Sequence, residues 1–151
     1  MSTTVDTSLT KTLIRAAQAA DADPVYSLLE QLATSYSPER PAFDANFPLL
    51  LEDSTTSLLL VAEDEAGTVV GYALTTITPL LHTNGSSAHL QELVVDDAHR
   101  GKGIGTAIVE EVERVCRGRA VRQITVASRR SADFYERIGY RSSADFLKRT
   151  F

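Results

Sequence analysis

The stretch RGKGIGTAIVEEVERV, residues 100–115, places three glycines within five residues and then turns into a regular apolar pattern. That pattern predicts a helix running to about Arg117. Ile104, Ala107, Ile108, Val112, Val115 and Cys116 fall on its buried face, and Glu110, Glu111 and Glu113 point mostly outward. Arg114 and Arg117 suit the dipole of the last turn, and Gly118 suits the position just past the end. Glycines against a helix start admit two readings. One is a tight turn. The other is a nest of backbone N–H groups: the first turn leaves amides unpaired with partial positive charge, and glycines let an anion come close to them. Arg100 and Lys102 add full charges, so a diphosphate is a fitting ligand.

The rest of the chain bounds what that loop serves. Its 151 residues fit one domain, 1–151, able to bury a full core. A composition 43% hydrophobic and 23% charged excludes global disorder. No apolar run approaches the roughly 18 residues of a membrane span. The start, MSTTVDTSLTK, lacks a basic-then-apolar leader, so a cytoplasmic protein with no membrane partner is expected, with residues 1–9 flexible. The lone Cys116 reads as a buried thiol. The net charge of −5 hides a split: residues 1–99 hold 3 Lys and Arg against 14 Asp and Glu, whereas residues 100–151 hold 12 against 6. The total is acidic and carries no zinc-finger or basic-zipper pattern, which disfavours nucleic acid.

Residues 11–17 read as a first strand. Asp23-Pro24 then opens a helix carrying Val25, Leu28, Leu29 and Leu32, and a second short helix is expected over 42–51. Strands follow at 57–63, 68–78 and 88–95, the first two joined by the turn DEAG, residues 64–67. After the glycine loop and its helix come a strand at 122–128, a short helix at 131–138, and one or two strands in YRSSADFLKRTF. Three consecutive strands linked by turns imply antiparallel pairing, and the strand–helix–strand step from 88 to 128 implies a parallel pair. The expected class is α+β, a mixed, largely antiparallel sheet carrying helices.

Two familiar nucleotide patterns fail. A P-loop needs Gly-Lys before Ser or Thr, and a dinucleotide fingerprint needs glycines spaced otherwise than Gly101, Gly103 and Gly105. What stands is Arg100-x-x-Gly103-x-Gly105 after LVVDDAH, followed about 30 residues later by FYERIGY, residues 134–140. Together these segments resemble the GNAT superfamily of acetyl-CoA-dependent N-acetyltransferases, over residues 88–141. The resemblance implies the GNAT fold: a central, largely antiparallel sheet, helices on both faces, and a splayed strand pair that takes acetyl-CoA.

Carried over residue by residue, the resemblance puts the backbone of Leu93, Val94 and Val95 on the pantetheine arm and the acetyl carbonyl. Arg100, Gly101, Lys102, Gly103, Ile104, Gly105 and Thr106 fall on the diphosphate, and Ser131 and Phe134 beside the cofactor. Tyr135 is implied as the acid that protonates the leaving thiolate, since a phenol can donate to a thiolate of ordinary basicity. Glu92 is the candidate base, directly or through a water, with the alternative that it is an exposed strand carboxylate. Gln91 stands where relatives often carry an acid, which weakens a two-carboxylate site. His82 and His89 are reserve bases, and His99 a surface residue. Many relatives place Asn ahead of the last helix, where this chain has Arg129, Arg130 and Ser131. Tyr36, His82 and Arg129 are weak acceptor-site candidates, and no metal site is indicated. The expected activity is acetyl transfer from acetyl-CoA to a primary amine of a small molecule by direct attack in a ternary complex. The alternatives are acetylation of a protein lysine or N-terminus, and a non-catalytic acyl-CoA sensor. Phe146, Leu147 and Phe151 make a homodimer through the C-terminal strand conceivable, against a strand that completes the protomer's own sheet.

Overall fold

The computed structural model describes residues 2–7, 10–33, 36–128 and 131–151. Its elements in chain order are β1 (Ser2–Thr7), β2 (Thr10–Ala16), α1 (Ala22–Leu32), α2 (Arg40–Glu52), β3 (Ser57–Glu63), β4 (Val69–Leu80), β5 (Gly85–Val95), α3 (Ile104–Gly118), β6 (Gln123–Val126) and α4 (Ala132–Arg137). The strands form one sheet in sequential order among the described residues. Neighbours from β1 to β5 run antiparallel, and β6 joins β5 in parallel. The short hairpins force the first arrangement, and the α3 crossover the second. No helix among the described residues is long and apolar enough to cross a membrane.

Helices cover both faces of the sheet. On one, α3 buries Ile104, Ala107, Ile108, Val109, Val112 and Cys116 against Leu58, Leu60, Ala73, Ala88 and Leu90. Full burial of each larger side chain stabilises by about 1.5–3 kcal/mol. On the other face, Val25 and Leu28 of α1 and Phe47 of α2 meet Leu59, Val61, Tyr72, Leu74 and Val94. Gly71 lets α3 sit close to β4: a Cβ there would lie 3.0 Å from the Val94 carbonyl oxygen and 3.1 Å from Ile108 Cδ1.

Several expectations need correction. Residues 2–7 form β1, paired with β2 from Ser2↔Arg15 to Thr7↔Thr10, where a flexible end was expected. Residues 140–151 form no strand, and Phe146, Leu147 and Phe151 stand exposed. The C-terminal segment therefore does not complete the protomer's own sheet. Glu111 is buried rather than outward, with Arg114 donating to both of its carboxylate oxygens at 2.7 Å. Gly118 is the last helical residue, and the left-handed conformation falls two residues later on Ala120 (φ 57°). The expected burial of Cys116 is found, and desolvation pushes its thiol pKa up.

An ion cluster joins the start of α1 to the sheet. Arg15 on β2 donates to Asp21 at 2.8 and 3.0 Å and to Glu63 on β3 at 3.1 Å, and Asp21 also accepts from the Gln18 amide at 2.7 Å. The guanidinium holds the Asp21 carboxyl below its ordinary pKa against the opposing effect of burial. A carboxyl depressed in the folded state contributes stability above its unfolded pKa of about 3.9 and loses that contribution as pH falls through the lower folded value. Asp21→Asn is therefore expected to cost about 2 kcal/mol at neutral pH. It should also flatten the loss of stability below about pH 4. Urea midpoints measured across that range check both effects.

Candidate functional site

The site begins at one irregularity in the sheet. On β4–β5, Leu74 pairs with Glu92 and Thr75 with Leu90, so Gln91 is an extra, bulged residue. A bulge shifts the alternation of side chains by one. Before it, Ala88 and Leu90 face α3, and after it Leu93 and Val95 pack on that side. Glu92 and Val94 are thereby sent to the α1/α2 side. Without the bulge, Glu92 would follow Leu90 into the α3 core.

The bulge also marks where the sheet opens. Pairing of β5 with β6 runs from Ser87↔Gln123 to Leu90↔Val126 and stops there. Beyond it, Glu92, Leu93, Val94 and Val95 keep only their partners Leu74, Ala73, Tyr72 and Gly71 on β4. Their opposite backbone edge has no strand partner among the described residues. This is the splayed pair that the sequence implied, opened at Gln91.

At the end of the opening stands the glycine loop. Gly101 (φ 79°) and Gly103 (φ 81°) are both left-handed, a conformation that costs other residues about 1–2 kcal/mol. Gly103 is the N-cap of α3 and has no side chain with which to cap it. Ala107 N–H makes the first helical bond, to the Gly103 carbonyl at 3.0 Å, so the amides of Ile104, Gly105 and Thr106 lie in the turn that helices leave unpaired. Space beside Gly101 is open. A Cβ on Gly105 would lie 3.5 Å from the Phe134 ring and 3.7 Å from Val95 Cγ2. The loop, the strand and α4 thus meet at Gly105. This nest fits a diphosphate, with Lys102 exposed at its rim and Arg100 ion-paired to Asp97 at 3.0 Å.

The loop is held from α1, a tie not foreseen from the sequence. Gln31 Nε2 donates to Asp96 at 2.9 Å, while its oxygen accepts from the Asp97 amide at 3.1 Å. Asp96 is also linked to His99 Nδ1 at 2.9 Å, and the Gln31 and His99 bonds hold its carboxyl below its ordinary pKa. His99 is thus a half-buried loop tie. A polar residue late in an amphipathic helix gave no signal of this.

On the other side of β5, Glu92 accepts from Tyr72 OH at 2.7 Å. Burial and then the Glu92 charge push the Tyr72 phenol pKa far up, and desolvation and then Glu92 raise that of Tyr36. Tyr72 and Glu92 therefore meet, a pairing the sequence did not signal. A cavity of about 440 Å³ adjoins them, lined from α1, α2, β3, β4 and β5, whereas Tyr36 stands exposed and does not line it.

Tyr135 sits on the α3 side, buried between Phe134 (ring centroids 5.0 Å apart) and Tyr140 (5.7 Å). Desolvation pushes its phenol pKa up to about 12. Ser131 is the exposed N-cap of α4, its amide donating to Ser128 Oγ at 3.0 Å. His82 stands in the exposed turn at the opposite end of the β4–β5 hairpin from the glycine loop, away from Glu92. His89 is hydrogen-bonded to Thr125 Oγ1 at 2.7 Å and stacks on Phe146, and burial lowers its pKa. Arg129 and Arg130 lie outside the described residues. No cluster of His, Cys, Asp and Glu suited to a metal ion occurs among the described residues.

A sequence model of the Acetyltransferase (GNAT) family matches residues 22–140. The chain belongs to the GNAT acetyltransferase family. The chain is 30% identical over 116 residues to glucosamine 6-phosphate N-acetyltransferase 1 of Oryza sativa subsp. japonica, covering 75% of this chain and 70% of that one. It is 31% identical over 78 residues to glucosamine 6-phosphate N-acetyltransferase of Trypanosoma brucei brucei, a match spanning 50% of this chain and about half (53%) of the relative. The crystal structure of glucosamine-6-phosphate N-acetyltransferase from Arabidopsis thaliana superposes with a TM-score of 0.81 at 24% identity, covering 93% of this chain and 98% of that one. A transcriptional regulator from Bacillus halodurans C-125 matches equally well, with a TM-score of 0.81 at 24% identity over 93% and 99% of the two chains. At that identity the GNAT fold is what they share with this chain.

Proposed function

We propose that the protein transfers the acetyl group of acetyl-CoA to a primary amine of a small molecule, by direct attack in a ternary complex. The observation that carries this reading is the Gln91 bulge. It turns Glu92 toward the α1/α2 cavity, while the backbone edge of Glu92–Val95 that no described strand pairs faces the β5/β6 opening, with Arg100 Nε donating to the Val95 carbonyl at 3.3 Å. An amine held in the cavity and a thioester held along the strand would then meet at one point of β5. The curated relatives, whose names are those of amino-sugar acetyltransferases, support a small amine as acceptor.

Acetyl-CoA, when bound, supplies the activated acetyl thioester. The amides from Arg100 to Thr106 would hold its diphosphate, and the Leu93–Val95 backbone would line its pantetheine arm and offer an N–H to the carbonyl oxygen. Alkyl ammonium ions have pKa values near about 10.4, so the acceptor must lose a proton before it attacks. Glu92, oriented by the Tyr72 hydroxyl, is the group available to take it, directly or through water. Tyr135, buried and protonated at neutral pH, is the donor for the departing thiolate.

Calorimetric titration with acetyl-CoA, CoA and ATP tests the cradle, and a thiol-release assay across an amine panel tests the transfer. Micromolar acetyl-CoA binding with little ATP binding is expected; absence of acetyl-CoA binding sinks the reading. Glu92→Gln is expected to lower kcat/KM by about 100-fold with acetyl-CoA affinity preserved. Unchanged kcat/KM would remove Glu92 from proton transfer.

A further inference from the structure

The cavity beside Glu92 has a chemistry of its own. Its wall is mainly aliphatic and aromatic, with Leu29, Phe43, Phe47 and Leu50 from the helices and Leu59 and Leu74 from the sheet. Among the described residues its polar lining comes from Glu39, Asn46, Tyr72 and Glu92, and both of the charged groups are acidic. A volume of about 440 Å³ falls within the usual range of small-molecule pockets, about 300–1,000 Å³.

We propose that the acceptor is a primary amine carried on an apolar body, an arylalkyl or alkyl amine, rather than a phosphorylated amino sugar. The inference rests on the transferase reading and deepens it. An ammonium group finds Glu92 beside the Tyr72 hydroxyl, and an apolar body finds the leucines and phenylalanines. A phosphate finds no basic side chain in the lining among the described residues. The guanidinium of Arg40 lies over the Phe43 ring (5.5 Å) but is already held by Asp23 and Asp44 at 2.7 Å each. The hydroxyls of a sugar would exchange water for carbon along most of the wall, and buried polar groups without partners are what such sites reject most strongly.

The test uses the full chain with acetyl-CoA and four acceptors: 2-phenylethylamine, hexylamine, putrescine and glucosamine 6-phosphate. Both apolar amines are expected to exceed the other two in kcat/KM by about 100-fold or more. Calorimetry on CoA-saturated protein gives a readout that needs no turnover: 2-phenylethylamine binds and glucosamine 6-phosphate does not. Glu39→Lys, at an exposed position of the lining, should lower kcat/KM for 2-phenylethylamine by about tenfold through charge repulsion at an unchanged melting temperature. Equal or better use of glucosamine 6-phosphate overturns the inference and leaves the transferase reading intact. Acetyl-CoA binding without binding or turnover of either apolar amine overturns it as well. Failure to bind acetyl-CoA removes both.

Discussion

Replacing Gly103 by glutamate is expected to weaken acetyl-CoA binding by at least about 100-fold. Two effects combine. Gly103 caps α3 at φ 81°, and a residue with a Cβ is strained there by about 1–2 kcal/mol. The new carboxylate also stands at the mouth of the amide nest, where the diphosphate would lie. Two like charges about 4 Å apart near a protein surface repel by about 4 kcal/mol. Each 1.4 kcal/mol is tenfold in affinity, so the charge alone exceeds the predicted loss. Gly103→Ala separates the two effects, carrying the strain without the charge. Calorimetry on both variants, with melting curves to confirm folding, checks the prediction. Undiminished affinity in the glutamate variant would remove the cradle assignment.

Tyr135→Phe is expected to lower kcat by about 100-fold or more while acetyl-CoA affinity stays within about threefold. The substitution deletes one oxygen and keeps the ring between Phe134 and Tyr140, so α4 should stay in place. Desolvation has pushed the phenol pKa up to about 12, so it carries its proton at every pH at which the enzyme would work. Proton transfer from so weak an acid suits a thiolate that is itself desolvated and therefore more basic than in water. Single-turnover and steady-state kinetics distinguish the outcomes. Equal turnover in the two proteins would leave Tyr135 a packing residue.

Much of this protein is local in origin and therefore legible in its sequence. The helical period after Gly103 predicted most of the buried face of α3, because spacing along one helix needs no distant partner, but it missed Val109 and placed Glu111 outward. Left-handed Gly101 and Gly103 are likewise a property of a few residues, and so is the run of unpaired amides that follows them. The hairpins of β3, β4 and β5 and the parallel return to β6 followed from connection lengths. Strand formation at the chain ends did not, since a strand exists only where another accepts its hydrogen bonds. Residues 2–7 found β2, whereas the apolar residues near Phe151 found no ladder.

The geometry of the proposed site was decided by tertiary structure alone. Which way Glu92 faces depends on one extra residue, Gln91, in a pairing register set by β4. Strand alternation by itself therefore left Glu92 undecided. Gln31 and Tyr72 carried no signal for the same reason: their partners Asp96 and Glu92 lie 65 and 20 residues away. The sequence determined that a glycine-led helix start with unpaired amides would follow a strand. The packing of α1 and α2 over a bulged β5 decided that this strand would open on one side and turn a carboxylate into an apolar cavity on the other. Register and packing depend on all the neighbouring elements at once, so no single stretch of the chain could specify them.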